Sequence, residues 1–152
     1  MTGQVEILVL RSGHADALMQ LFDEISRDAA SANFHPHPFD AEWTERICRY
    51  QGKDLYFGLL HDGAMVGYGM LRGWDDGYDV PSLGIFLSSK VRGTGLARLL
   101  MQHLHMAAKL RGSSQIRLKV YPENIPARRL YERLGYHFAQ TDGAQLVGLV
   151  DL

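Results

Sequence analysis

Arg92-Gly93-Thr94-Gly95-Leu96-Ala97-Arg98 is the stretch whose spacing speaks most directly of chemistry. It sits inside LSSKVRGTGLARLL, Leu87 to Leu100, where a short apolar run gives way to a glycine-bearing turn and then to a helical pattern. Gly93 and Gly95 can take positive φ and leave no side chain in a ligand's way. Backbone N–H groups at such a helix start point outward and form an anion site, and phosphate is the common anion of this kind. Arg92 and Arg98 add positive charge. Two well-known phosphate loops do not fit. A P-loop needs Lys-Ser/Thr after its last glycine, where this chain has Leu96-Ala97. A dinucleotide fingerprint needs G-x-G-x-x-G in the first β-α unit, and only Gly93-x-Gly95 is present, past mid-chain. From this stretch alone, an anion site and a plain glycine turn into a helix both stand.

A second stretch, VYPENIPARRLYERLGYHF from Val120 to Phe138, leads from a strand through a short turn into a helix that stops at Gly135. Together the two stretches resemble the GNAT superfamily of acyl-coenzyme A-dependent N-acetyltransferases. Arg92 to Ala97 matches that family's R/Q-x-x-G-x-G/A pattern. Asn124, Ala127, Leu130, Tyr131, Gly135 and Tyr136 match its N-x-x-A-x-x-L-Y-x-x-x-G-F/Y pattern. The resemblance covers Ser82 to Phe138 in motifs and the whole chain in element order.

The resemblance implies acetyl-coenzyme A as co-substrate and no metal. It places the pyrophosphate on the backbone of Arg92, Gly93, Thr94, Gly95, Leu96, Ala97 and Arg98. It runs the pantetheine arm along Ile85, Phe86 and Leu87, and sets Asn124 near the acyl end. It makes Tyr131 the general acid that protonates the departing thiolate. A phenol of pKa ~10 is close enough to a thiol's ~8.5 for that task. Read from the residues alone, Tyr131 is equally a core aromatic on the Ala127-Leu130-Leu134 face. The Leu87 amide would polarise the thioester carbonyl. The family's base carboxylates have no counterpart here: Pro81-Ser82-Leu83 and Lys119 stand at those places. Asp79, Glu123 or a water chain stay open for that role.

The acceptor side is drawn by two loops. Phe34-His-Pro-His-Pro-Phe39 presents His35 and His37 on a stiff connector, either toward an amine or simply at the surface. Trp74 with Asp75, Asp76, Tyr78 and Asp79 forms an acidic, aromatic loop suited to a cationic amine or to solvent alone. His35 and His37 have no further ligand set at metal spacing. His103 and His105 cannot share a helix face and read as packing or surface residues. Cys48 falls in a helical pattern and reads as buried packing.

These residues need elements to hold them. Val5 to Leu10 reads as a strand, and Ser12 as the cap of a helix running to near Ala30. Asp40 caps a second helix ending near Gln51-Gly52. Leu55–His61 and Met65–Arg72 flank Asp62-Gly63, a hairpin signal. Ser82–Ser88 reads as a strand. Leu96–Arg111 reads as a long helix stopped by Gly112. Ile116–Tyr121 alternates as a strand. Pro126 suits the first turn of the next helix. Tyr136–Gln140 and Gln145–Asp151 flank Asp142-Gly143. The order β-α-α-β-β-β-α-β-α-β-β predicts an α/β (α+β) fold: a mixed, mostly antiparallel sheet of seven strands flanked by four helices.

The chain has 152 residues and a net charge of -1, with 46% hydrophobic residues. That length fits a single domain, residues 1–152, and excludes wholesale disorder. The charge balance argues against nucleic acid as a partner. No apolar run approaches the ~20 residues of a membrane span, so no membrane partner is expected. One cysteine and the absence of a leader pattern place the expectation in the cytosol. The function expected is acetyl transfer to a primary amine of a small molecule, such as an amino sugar, amino acid or polyamine. The alternatives are a protein N-terminal or lysine acetyltransferase, and a non-catalytic acyl-coenzyme A sensor. Homodimerisation through a sheet edge is a further option under the resemblance.

Overall fold

The structure, a computed structural model, describes residues 2–27 and 37–152. Strand β1 is Val5–Val9, followed by α1 (Ala15–Arg27) and α2 (Ala41–Cys48). Strands β2 (Leu55–His61), β3 (Ala64–Arg72) and β4 (Ser82–Leu87) come next. Then follow α3 (Leu96–Leu110), β5 (Gln115–Val120), α4 (Ile125–Arg133), β6 (His137–Asp142) and β7 (Gln145–Asp151). The seven strands form one sheet in the order β1-β2-β3-β4-β5-β7-β6. Only β4 and β5 run parallel, as the expected mostly antiparallel sheet requires.

The local reasons are legible. Asp62 at φ 49° and Gly63 at φ 83° give the β2–β3 hairpin the two left-handed residues that a tight turn with the right twist needs. Asp40 caps α2 by accepting from the Trp43 amide at 2.9 Å. Gly135, at φ 98°, ends α4: its N–H donates to the Glu132 carbonyl and the Tyr136 N–H to that of Tyr131. Two boundaries differ from the expectation. Ser12 does not cap α1; it opens a short 3-10 turn, and the Arg11 amide donates to His14 Nδ1 instead. Helix α2 stops at Cys48, before Gln51-Gly52, because Tyr50 turns away and its N–H donates to Ile47.

Helices α1 and α2 cover one face of the sheet. Leu18, Leu21, Phe22 and Ile25 pack there on Tyr68 and Phe86. Helix α3 covers the other, where Leu100, Met101 and Leu104 pack on Leu71, Leu83, Ile116 and Leu118. Glycine permits this close fit: a Cβ on Gly69 would come within 3.0 Å of Leu104 Cδ1. Leu104 is fully buried. Leu104→Ala is expected to destabilise the fold by about 2–5 kcal/mol, the usual range for a buried leucine leaving a cavity. Urea unfolding checks this, with a lower midpoint and an unchanged slope. Cys48 is buried, and its thiol is pushed up by burial and by the charge of Glu45, as suits a packing residue. Among the described residues no helix is long and apolar enough to cross a membrane.

Candidate active site

The parallel pair β4–β5 is joined by a single bridge, Ser82 to Arg117, with the Arg117 N–H on the Pro81 carbonyl at 3.0 Å. Beyond that point the strands part. The gap is a cleft of about 150 Å³ lined by Leu83 to Leu87, the end of β5, Asn124, Tyr131 and Gln145.

Backbone direction follows from the register. The Ser88 N–H donates to Val66 of β3 at 2.8 Å, so the even-numbered residues of β4 turn their peptide groups toward β3. The Pro81 carbonyl faces β5, so the odd-numbered ones turn the other way. Ile85 and Leu87 therefore direct their N–H and C=O groups into the cleft. Such groups need partners, and an amide-bearing ligand laid along β4 supplies them. This corrects one expectation: the backbone of Phe86 is committed to β3, opposite Tyr68, and cannot serve the pantetheine arm. Its side chain still lines the cleft.

The glycine turn lies at the start of α3. Gly93 and Gly95 have φ of 73° and 86°, and nothing stands within 4 Å of where their Cβ atoms would be. Thr94 tightens the turn: its hydroxyl donates to the Val91 carbonyl at 2.6 Å and accepts from the Leu96 amide at 3.3 Å. The amides of Gly93, Gly95, Ala97 and Arg98 take no acceptor among the described residues. Arg92 and Arg98 are exposed beside them. The turn is thus an anion cradle at the positive end of a helix of 15 residues. Ser88, just before it, is buried and donates to Glu24 of α1 at 2.5 Å. That tie anchors the loop to α1. The sequence reading missed it, because no local pattern links residues so far apart.

Tyr131 sits on α4 and lines the cleft. Its ring lies 5.8 Å from that of Tyr136, whose hydroxyl is 2.7 Å from His105 Nε2. Burial pushes the Tyr131 phenol up to about 12, so it stays protonated at neutral pH. Asn124 both caps α4, accepting from the Ala127 amide at 3.4 Å, and lines the cleft. Lys119, Tyr121 and Gln145 complete the lining, and none of the three was singled out by sequence as a binding residue. The clean alternation from Ile116 to Tyr121 was the available signal. It buries Ile116, Leu118 and Val120 and turns Arg117, Lys119 and Tyr121 to the opposite face.

The acceptor candidates scatter. His35 lies outside the described residues. His37 is only 4% exposed, stacked on Trp43 at 5.0 Å, with Nδ1 2.9 Å from the Pro38 carbonyl and Nε2 3.0 Å from the Tyr68 hydroxyl. The carbonyl can only accept, so Nδ1 carries the proton and Nε2 accepts from Tyr68. Both nitrogens are engaged, which corrects the picture of a surface histidine offering a lone pair. His37 ties the segment before α2 to the sheet.

Trp74 and Asp79 are not brought to the cleft. Their loop follows β3, at the end of the sheet where β4 and β5 are joined. Trp74 lies under the Arg111 guanidinium at 4.9 Å, and the Asp79 carbonyl accepts from Ser113 at 3.3 Å. Two carboxylates, Asp54 and Asp75, pin the loop in place. Asp54 accepts from the amides of Gly73, Trp74 and Asp75, while Asp75 is hydrogen-bonded by Tyr50 and the Lys53 amide. The Tyr50 hydrogen bond is the main reason the Asp75 carboxyl is lowered. Among the described residues no three His, Cys, Asp or Glu side chains gather to hold a metal ion.

Comparison with known proteins agrees with this geometry. The pattern of the "Acetyltransferase (GNAT) family" matches residues 16–136. A spermine/spermidine N(1)-acetyltransferase of Bacillus subtilis is 29% identical over 107 residues, 61% of this chain and 68% of the relative. An uncharacterized N-acetyltransferase of Mycobacterium tuberculosis is 37% identical over 76 residues, 50% of this chain and 48% of that relative. The PaiA N-acetyltransferase of Thermoplasma acidophilum, solved in complex with coenzyme A, shares the fold. Its TM-score is 0.84 at 17% identity, over 98% of this chain and 99% of that one. The ribosomal-protein-S18-alanine N-acetyltransferase of Escherichia coli follows at TM-score 0.74 and 21% identity, over 97% and 94%. The parted strands, the anion cradle and the family match over most of the chain lead to one conclusion: the chain belongs to the GNAT family of acetyltransferases and is an acetyl-coenzyme A-dependent N-acetyltransferase.

Proposed function

We propose that the enzyme acetylates a primary amine of a small molecule by direct attack, with Tyr131 as the acid that meets the leaving sulfur. The observation that carries this reading is the cleft itself. It holds inward-turned backbone groups of Ile85 and Leu87 with Tyr131 in the same lining, and the strand that lines it, β4, runs on in the chain to the anion cradle at the start of α3. That donor set suits coenzyme A: an anionic end for the cradle and amides for β4. Acetyl-coenzyme A supplies an acyl group already activated as a thioester.

The chain does the rest. The Leu87 N–H donates to the thioester oxygen as charge develops there. Parted strands hold amine and acyl carbon together, which lowers the entropic part of the barrier. Tyr131 keeps its proton for the sulfur. Its raised pKa makes it a weaker acid than a free phenol and puts it well above an ordinary thiol. The same desolvation raises the pKa of a thiolate formed beside it, so the two come closer together. The first role of Tyr131 is thus a hydrogen bond that strengthens as the sulfur gains charge. Among the described residues no carboxylate lines the cleft.

The Bacillus relative, named for spermine and spermidine, supports a small amine as acceptor class. Calorimetric titration with acetyl-coenzyme A, followed by a pooled-amine screen for thiol release, tests the proposal. Binding with turnover of a small amine is the expected result. Tight binding with turnover only of peptides would move the acceptor to proteins, and binding without any turnover would favour a sensor.

A further inference from the structure

Beyond the identity of the reaction, and resting on the transferase reading above, we infer that the acceptor is an amine that also carries an anionic group, held by Lys119 beside Gln145.

The argument begins with faces. Ile116 and Leu118 pack in one cluster with Leu100, Met101 and Leu104 of α3. Alternation therefore turns Arg117 and Lys119 to the face away from α3 and its anion cradle. The sheet stands between these cations and the phosphate end of the cofactor, so they do not belong to it. Lys119 nevertheless lines the cleft that Tyr131 and Ile85 share. Val147 is in register with Lys119, and so Gln145, two residues earlier on β7, falls on the Lys119 face.

Among the described residues the charge on that wall does not balance. Asp142 Oδ2 is 2.6 Å from Lys119 Nζ and 4.0 Å from Arg117 Nη2. One carboxylate thus serves two cations. Asp151, the next acid along β7, takes the Gln115 amide at 2.9 Å, one row further from the cleft opening. Gln145 Nε2 is buried and has no acceptor among the described residues. A buried donor left unpaired is costly, and nature pairs almost all of them. A carboxylate or phosphate group lying between Lys119 and Gln145 satisfies both. A polycation placed there meets an uncompensated positive wall and a donor with nothing to receive.

The same wall explains the missing acidic lining. An enzyme for polyamines needs carboxylates where the amines rest, and in this cleft the charged side chain is a lysine. The acidic loop at Asp75 to Asp79 lies at the joined end of the sheet, away from this wall.

Matched acceptor pairs test the inference. Each amino acid is assayed beside the amine that lacks its carboxylate: phenylalanine with phenethylamine, lysine with cadaverine, arginine with agmatine. Phosphoethanolamine beside ethanolamine separates a phosphate from a carboxylate. Wild type is expected to favour the anionic member of its best pair by about 10- to 100-fold in kcat/KM, the span of a hydrogen bond to a charged group. Lys119→Met is expected to remove most of that preference through KM, Lys119→Arg to retain it, and Asp142→Asn to increase it. Acetyl-coenzyme A binding measured on each variant shows that the cleft is folded. Preference for spermidine, cadaverine or the other amines lacking an anionic group overturns the inference and leaves the transferase standing, as does a ratio that Lys119→Met does not move. Tight acetyl-coenzyme A binding with no turnover of any small amine overturns both.

Discussion

A Gly95→Glu variant is expected to fold and to lose most of its affinity for coenzyme A. Gly95 is the residue before α3, at φ 86° and ψ 0°. A side chain in that left-handed region costs roughly 1–2 kcal/mol, against about 5–15 kcal/mol of stability for a typical domain. No heavy atom lies within 4 Å of the added Cβ, so nothing in the protein is pushed aside. The damage is electrostatic and local. A carboxylate at the helix start takes the free amides of Ala97 and Arg98 for itself and repels a second anion. The dissociation constant is expected to rise by at least ~10²-fold, read by calorimetry at physiological salt. Gly95→Ala carries the same backbone strain without charge, and is expected to stay within about tenfold of wild type. Coenzyme A binding by a folded Gly95→Glu protein at near wild-type strength would remove the anion cradle from the cofactor site.

A Tyr131→Phe variant is expected to lose about 10²-fold in kcat, the usual size of a general-acid contribution. The ring keeps its place beside Tyr136, so the KM for acetyl-coenzyme A stays within a few-fold. Single-turnover measurement isolates the chemical step. The pH profile gives a second reading. Burial raises the phenol to about 12, so its proton stays on until the pH approaches that value. The acid form is therefore present throughout the rise in rate that follows amine deprotonation. Wild type should show no alkaline fall below about pH 11 that belongs to Tyr131. A fall near pH 9 that disappears in the Phe variant would mean the phenol titrates far lower than its burial dictates. Unchanged single-turnover rates in Tyr131→Phe would take it out of the mechanism.

The sheet and its helices were legible because most elements announce themselves locally. Asp62-Gly63 needs two left-handed residues and has them. Asn124 and Pro126 open α4 and Gly135 closes it. The cradle was legible for the same reason: glycine spacing before a helix is a backbone statement. Other features depend on contacts between distant segments. Ile85 and Leu87 could be separated from Phe86 only once the Ser88–Val66 hydrogen bond fixed which way β4 faces. His37 reads as a loop histidine until Tyr68, 31 residues on, and the nearby Trp43 close around it. Trp74 and Asp79 had the right chemistry for an acceptor loop, yet Arg111, Ser113 and Lys53 draw that loop to the other end of the sheet. Lys119 was noted only as the absence of a carboxylate, because a strand's alternation does not say which face the reaction uses.

The lone bridge between Ser82 and Arg117 has a consequence for cooperativity. Strands β1 to β4 share full ladders with one another, as do β5, β7 and β6, but between the two groups the sheet has a single rung. Backbone pairing, which elsewhere makes a sheet melt as one body, is interrupted there, and the two groups are also joined through the core cluster they share under α3. A ligand that fills the gap adds the absent rungs. Its binding energy then goes into making two subunits of stability behave as one, by about 2.7 kcal/mol at a hundredfold excess over the dissociation constant.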